Sequence, residues 1–345
     1  MNRRLTDTDD KLFADRLIAT ARRDPGAPAL LHKKRGVWIV RRWGHVLDEI
    51  DRLAAGLKSL GLSPGGQVAV DGEITAQLFL VAAAIRAAGG AILSVPLSAS
   101  AAELDRVLDD PSVDLVIGQG RDTVARWSEH NRRRIPIVFD HTTPDSRPPA
   151  DGIVTLANLR TLGEPARWSI GKVVPASGRS LPVTWFEEST DWFDGLDILL
   201  DHWVASGEPV GLPELLAAAS RDRLELAPES WIASPARLEF NERAIRERLP
   251  ERNSLAGRLV DGALRGGRAP WFSLTRYRLR NRLGLGRLAY IDVHLGHGAG
   301  RTPALFHQLD IATFLVGQRF PSERIVAPPP EKSYPRPLVA AAAAR

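Results

Sequence analysis

Apolar positions along this chain recur with two alternating periods, and that alternation predicts the fold class. Leu12, Phe13, Leu17 and Ile18 stand at helical spacing over residues 12–22, and Asp24-Pro25-Gly26 closes the helix. Two short apolar runs follow, Ala29 to Leu31 and Val37 to Val40, separated by the basic turn Lys33 to Gly36, which predicts a β-hairpin. Val46, Leu47, Ile50, Leu53, Ala54, Leu57 and Leu60 line one face of a helix over 44–60. From there runs of a few β-branched residues alternate with longer helical stretches: strands at 67–70, 91–95, 114–117 and 135–139, and helices at 76–88, 101–108 and 122–132. Strands separated by helices in this order predict a parallel, doubly wound sheet.

After a linker-like stretch at 142–149, a helix is expected at 196–204. Near the end, the run Ala289 to Val293 meets a Gly-rich turn, then Thr302 and Pro303 open an amphipathic helix that stops near Asp310, before a second apolar run. This is a strand, loop, helix, strand unit. Ligands of open α/β sheets bind at the carboxyl ends of such strands, which draws attention to the loops at 296–300 and 317–321.

Composition narrows the classes. With 345 residues, 44% of them apolar, the chain can bury one large α/β core or two ordinary ones. It contains no cysteine, so disulfides, thiolate chemistry and Cys-built zinc sites are excluded, in keeping with a reducing compartment. The first residues turn acidic at once, with no apolar signal region, and the longest apolar run, 76–88, is interrupted and too short to cross a bilayer; the expected location is the cytoplasm. The net charge of +5 comes mostly from Arg dispersed among 41 acids, so no nucleic-acid partner is expected.

Several clusters carry candidate chemistry. Asp292 and His294 share one strand face, with His297 and His307 nearby in sequence, a donor set capable of metal ligation, although surface or core histidine is the commoner role. Residues 265–287 mix Arg with Trp271, Phe272 and Tyr277, which suits an amphipathic linker helix or a membrane surface. Gly296, Gly298 and Gly300 are out of register for a dinucleotide fingerprint.

Long stretches resemble the adenylate-forming acyl-CoA synthetases, and in particular their long-chain branch. Residues 22–70, with the Pro-x-x-x-Ala-Leu strand from Pro25 to Leu30, the Gly36-Val37-Trp38 hairpin, the Trp43 helix start and the turn that runs from Gly56-Leu57 to Val68-Ala69, follow the opening of that family in order; residues 87–110, 208–238 and 253–282 continue it. Leu283-Gly284-Leu285, Arg287-Leu288, Pro303, Leu305-Phe306 and Leu309 to Ile311 match the family's core framework. The resemblance implies two doubly wound α/β subdomains like the large N-terminal domain of these enzymes, incomplete and without the mobile C-terminal domain. They are expected at 1–165 and 166–325, with a deletion near 183–200, a basic helical linker at 253–282 and an unstructured Pro/Ala-rich tail at 326–345.

The residues that carry chemistry in the family depart from its pattern. Where the family has the phosphate loop Thr-Ser-Gly-Thr-Thr-Gly-x-Pro-Lys-Gly, this chain has Pro175-Ala176-Ser177-Gly178-Arg179-Ser180-Leu181-Pro182-Val183, so that Ser177, Gly178, Arg179 and Ser180 form a relic loop and Val183 stands at the Lys position. Val293 to His297 replace the nucleotide loop, and Gly317 to Pro321 replace Tyr-Gly-x-Thr-Glu, whose Glu binds magnesium in the family. The family uses ATP, Mg and CoA; here no cofactor, no metal and no catalytic residue is expected. The implied protein is a pseudoenzyme of acyl metabolism that binds or regulates an acyl-CoA enzyme. The alternatives are a ligase completed by a partner chain and a basic protein of the membrane surface. Trp185, Trp192, Trp203 and Trp231 fall where family elements are missing and are expected to be exposed as a partner surface.

Overall fold

In the computed structural model, which describes residues 7–140, 153–168, 182–267, 269–294 and 303–316, the predicted alternation is realised almost element for element. Helix α1 (Asp7–Arg23) leads into the hairpin β1 (Pro28–Lys34) and β2 (Val37–Arg42), then α2 (Trp43–Ser59), β3 (Gln67–Asp71), α3 (Ala76–Ala87), β4 (Ala91–Ser94), α4 (Ala101–Asp109), β5 (Val113–Gln119), α5 (Arg121–His130) and β6 (Ile137–Asp140). Next come β7 (Val154–Thr155), α6 (Leu156–Leu159), β8 (Thr184–Trp185), α7 (Gly195–Ser206), β9 (Val210–Leu212), α8 (Ala219–Leu226), β10 (Ser230–Ala233), α9 (Pro235–Glu247), α10 (Leu255–Leu264), α11 (Pro270–Arg282), β11 (Tyr290–His294), α12 (Ala304–Gln308) and β12 (Ala312–Val316).

Local chemistry sets the helix starts. The Thr75 hydroxyl accepts from the Leu78 N–H at the head of α3, and Ser100 with Glu103 forms a reciprocal capping box on α4. Ser234 accepts from the Arg237 N–H ahead of Pro235, a residue suited to the first turn because its missing N–H would have no intrahelical partner.

The chain forms two compact units that interleave in sequence. The first comprises residues 1–30, 41–179 and 188–207 and holds a five-stranded sheet ordered β4-β3-β5-β6-β7, every neighbouring pair parallel. One face is covered by α4 and α5 around Leu104, Val124 and Trp127. Within the same unit α1, α2, α3 and α7 pack on one another; Trp43 stacks on Trp203 at 4.4 Å, and the Trp203 Nε1–H donates to the Ala29 carbonyl at 2.9 Å. The apolar run of α3 is buried throughout its length, as expected from its composition. Among the described residues no helix is long and apolar enough to cross a membrane.

The second unit, residues 31–40, 180–187 and 208–345, holds a sheet ordered β12-β11-β10-β8-β9-β1-β2, in which β8 to β12 run parallel. Its core joins Trp185, Trp231, Leu238, Leu285, Ile291, Val293 and Phe306. The expectation of an exposed tryptophan surface is overturned: Trp185, Trp203 and Trp231 are each 0% exposed and Trp192 is half-buried. Trp185, Trp203 and Trp231 are large apolar rings that fill a core, and each of Trp185 and Trp203 also satisfies its indole N–H there.

Candidate functional site

Of the positions that would handle nucleotide, Ser177, Gly178, Arg179 and Ser180 lie outside the described residues, as do His297, Gly296, Gly298, Gly300 and the stretch 317–321. Val183 is described. Its side chain packs on the apolar core of the second unit, and its carbonyl accepts from the Glu229 N–H at 3.1 Å and the Ser230 N–H at 3.4 Å. A residue in that setting supplies no positive charge to a phosphate. Val293, by contrast, is fully buried in that core, 0% exposed, while Val183 is half-buried at its edge.

Tyr290, Asp292 and His294 alternate onto one face of β11, as the period of a strand requires. Burial pulls the His294 imidazole down to about 4, so the ring is neutral at pH 7. His307 faces elsewhere, its Nε2 2.8 Å from the Thr313 hydroxyl. Among the described residues no group of three or more His, Asp or Glu side chains is placed to hold a metal ion.

The second unit instead contains a polar network that local sequence patterns do not announce. Glu187, 1% exposed, accepts from the Trp185 indole N–H at 2.6 Å, from Arg223 Nη1 at 2.7 Å and from Asn241 Nδ2 at 2.7 Å. The Arg223 guanidinium lies 4.4 Å from the Trp231 ring centre, a cation–π contact strengthened by desolvation. Beside it on α8, Asp222 holds Lys33 at 2.9 Å, and Glu225 holds the same ammonium at 2.6 Å. Burial alone would lower the Lys33 pKa, but the hydrogen bonds it donates to Glu225 and Asp222 prevail and raise it. One clue was present in the sequence: Ala219, Asp222, Arg223 and Leu226 recur at helical spacing, so two charged residues occupy a core-facing stripe.

In the first unit the carboxyl ends of three adjacent strands carry Asp71, Gln119 and Asp140, with Asp71 in register with Gly118 and Gln119 with Asp140. The sheet order reverses between β3 and β5, where open sheets of this type place their ligand crevice. Here the crevice is filled by the protein itself. The Gln119 side chain accepts from the Glu73 N–H at 2.8 Å and donates to the Glu73 carbonyl at 3.2 Å; the Thr190 hydroxyl accepts from the Gly72 N–H at 3.2 Å and donates to the Val95 carbonyl at 2.7 Å. Asp71 accepts from Arg126 at 2.9 Å and Trp127 at 3.1 Å, yet burial keeps its pKa raised against the pull of Arg126. Neither carboxylate oxygen of Asp140 has a hydrogen-bond partner among the described residues, and burial pushes this group up to about 6.

The basic linker is two helices. None of α11 is buried, and Trp271, Leu274 and Tyr277 are exposed, as are Leu255 and Leu259 on α10. Arg258, Arg278 and Arg282 are exposed on the same pair of helices.

Residues 17–159 match the model of a family described as AMP-binding enzyme. No curated protein matches the chain. Among solved structures, the fold is similar to the acetoacetyl-CoA synthetase of Streptomyces lividans (15% identity, TM-score 0.58, 88% of this chain and 51% of that one). It is similar also to a long-chain-fatty-acid-CoA ligase of Archaeoglobus fulgidus (10%, 0.60, 88% and 63%) and to an acyl-CoA synthetase of Brucella canis (14%, 0.60, 86% and 56%). The chain thus spans between 51% and 63% of the length of these three proteins, and its parallel α/β architecture is that of the N-terminal domain of adenylate-forming enzymes.

Proposed function

We propose that this chain, whose residues 17–159 match the AMP-binding enzyme family model, is a catalytically degenerate acyl-CoA synthetase-like protein that binds or regulates within acyl metabolism, in the cytoplasm, and uses no ATP, magnesium or CoA of its own. The observation that carries the proposal is Val183. It stands where the family's phosphate loop has Lys, and it packs on the core of the second unit. Phosphoryl and acyl-adenylate chemistry depends on charges fixed around the reacting phosphate, and an apolar side chain turned into a core contributes none. Gly317 to Pro321, in place of Tyr-Gly-x-Thr-Glu, supports the same conclusion from sequence.

Acyl-dependent exchange of pyrophosphate into ATP is therefore expected to stay at the level of a protein-free control across a panel of short-, medium- and long-chain acids. Sustained turnover by the pure protein would overturn the proposal, and turnover appearing only with a second added chain would favour a ligase whose site is completed in trans. Mg-ATP is expected to give no saturable rise in melting temperature; a rise that disappears in Arg179→Ala would show that the relic loop Ser177 to Ser180 still holds phosphate.

A second reading rests on α10 and α11, whose exposed Leu255, Leu259, Trp271, Leu274 and Tyr277 stand among arginines. Such a surface suits the boundary of an anionic bilayer. Co-sedimentation with anionic but not neutral vesicles, abolished by Trp271→Glu with Leu274→Glu, is the expected result for that reading.

A further inference from the structure

Within the second unit, α8, the middle of α9 and the last residues of α11 enclose a cleft of about 380 Å³. That volume lies toward the small end of small-molecule sites, which run from roughly 300 to 1,000 Å³. Its lining contains five arginines, Arg221, Arg223, Arg237, Arg248 and Arg282, and a single acid, Glu187. Arg223 already offsets that acid through the 2.7 Å ion pair. Arg221 reaches Asp222 and Glu225 only at 4.0 and 3.9 Å, and Arg248 and Arg282 have no acidic partner among the described residues. The cleft therefore carries an excess of positive charge.

Its other face is apolar. Leu224 is 44% exposed and Phe240 60% exposed, while Ile245 and Leu283 continue the surface inward. The Arg237 guanidinium lies 5.4 Å from the Phe240 ring centre, so cation and apolar wall are adjacent. The floor is rigid, because Arg223, Glu187 and Asn241 fix one another by buried hydrogen bonds. Preformed walls lower the ordering cost of a ligand. Guanidinium groups gathered with so little acid attract an anion, and Arg presents the planar donor fork that matches a carboxylate or phosphate.

We propose that this cleft binds a small amphiphilic anion, with its carboxylate or phosphate head at Arg248 and Arg282 and its apolar body along Leu224, Phe240 and Ile245. The site lies wholly in the second unit and is independent of whether the chain adenylates anything. Both head-group arginines are solvent-exposed, so the variant Arg248→Ala with Arg282→Ala is expected to keep the melting temperature of the parent.

Calorimetric titrations of the full chain with decanoate, decyl phosphate, decanol and inorganic phosphate test the proposal. Decanoate or decyl phosphate should bind saturably, with decanol at least about tenfold weaker, a difference of about 1.4 kcal/mol. The double Arg variant should lose tenfold or more for the anions, and Phe240→Ala should weaken the amphiphiles while leaving any inorganic phosphate signal unchanged. Absence of saturable binding in the low millimolar range overturns the proposal. So does affinity that the double variant leaves intact, and so does inorganic phosphate binding as tightly as decyl phosphate, which would make the cleft a bare anion site. Binding to phosphatidylglycerol vesicles with none to the free amphiphiles would assign the charge to a lipid surface instead and likewise overturn it.

Discussion

Glu187 shows how much a single side chain can hold in this protein. Three donors converge on its carboxylate, and one of them, Arg223, is 2% exposed and cannot turn to water if its partner is lost. Removing one member of a buried ion pair costs about 3–5 kcal/mol, because an uncompensated charge remains, whereas replacing both by apolar groups of similar volume is often neutral. Glu187→Ala is therefore expected to lower unfolding stability by about that amount in urea titrations, and Glu187→Leu combined with Arg223→Met to recover a large part of it. A double variant as unstable as the sum of its single changes would mean that the network acts through more than the pair.

At the scale of elements, close approach fixes where helices meet. Gly56 on α2 lies against α6, and a Cβ built there would come 2.1 Å from the Leu159 carbonyl oxygen, so no side chain fits without displacing backbone. Gly56→Ala is expected to cost about 1–3 kcal/mol, the range for overpacking a close-packed site, read as a lower denaturation midpoint; an unchanged midpoint would show that α6 moves away freely. The elements themselves were legible in the sequence, because periodicity is a local signal: the helices at 12–22, 44–60, 76–88 and 101–108 and the strands between them emerged within a few residues of their predicted bounds. The two-residue strands β7 and β8 are too short to generate a period, and only their neighbours in the sheets define them. The Glu187 network was illegible for a related reason, since two of its three donors, Arg223 and Asn241, lie 36 and 54 residues away and only the packing of α8 and α9 brings them to Glu187. The tryptophans were misjudged because family spacing suggested missing neighbours, while Trp203 meets Trp43 and Phe79, and Trp231 meets Phe306 and Arg223. The relic phosphate loop, Ser177 to Ser180, falls outside the described residues, so the sequence remains its only record.

At the scale of the whole molecule, a buried Asp140 and a half-buried His294 are expected to give the two units opposite responses to acid. Asp140, in the first unit, has its carboxyl pushed by burial from 3.8 up to about 6, against the opposing pull of the Gln119 side chain and the charge of Arg160. Between those values the folded unit keeps a proton that the unfolded chain releases. Its stabilising contribution is thus complete below about pH 4 and is lost as pH rises through 6, by an amount on the order of 3 kcal/mol. His294, in the second unit, has its imidazole lowered by burial from 6.5 to about 4, so the unfolded chain takes up the proton first. Its contribution is present above pH 6.5 and is lost as pH falls through 4. Because the windows overlap and the signs oppose, the global midpoint of unfolding is expected to change little between pH 7.5 and 5, although each unit responds. Hydrogen exchange, corrected for the intrinsic rate, separates them: on acidification amides of β5 and β6 should gain protection while those of β10 and β11 lose it. Asp140→Asn should raise the stability of the first unit at pH 7.5 and flatten its response, and His294→Gln should flatten that of the second. If protection in both units moved in the same direction, or if Asp140→Asn destabilised the first unit at pH 7.5, burial would not be what governs these two groups.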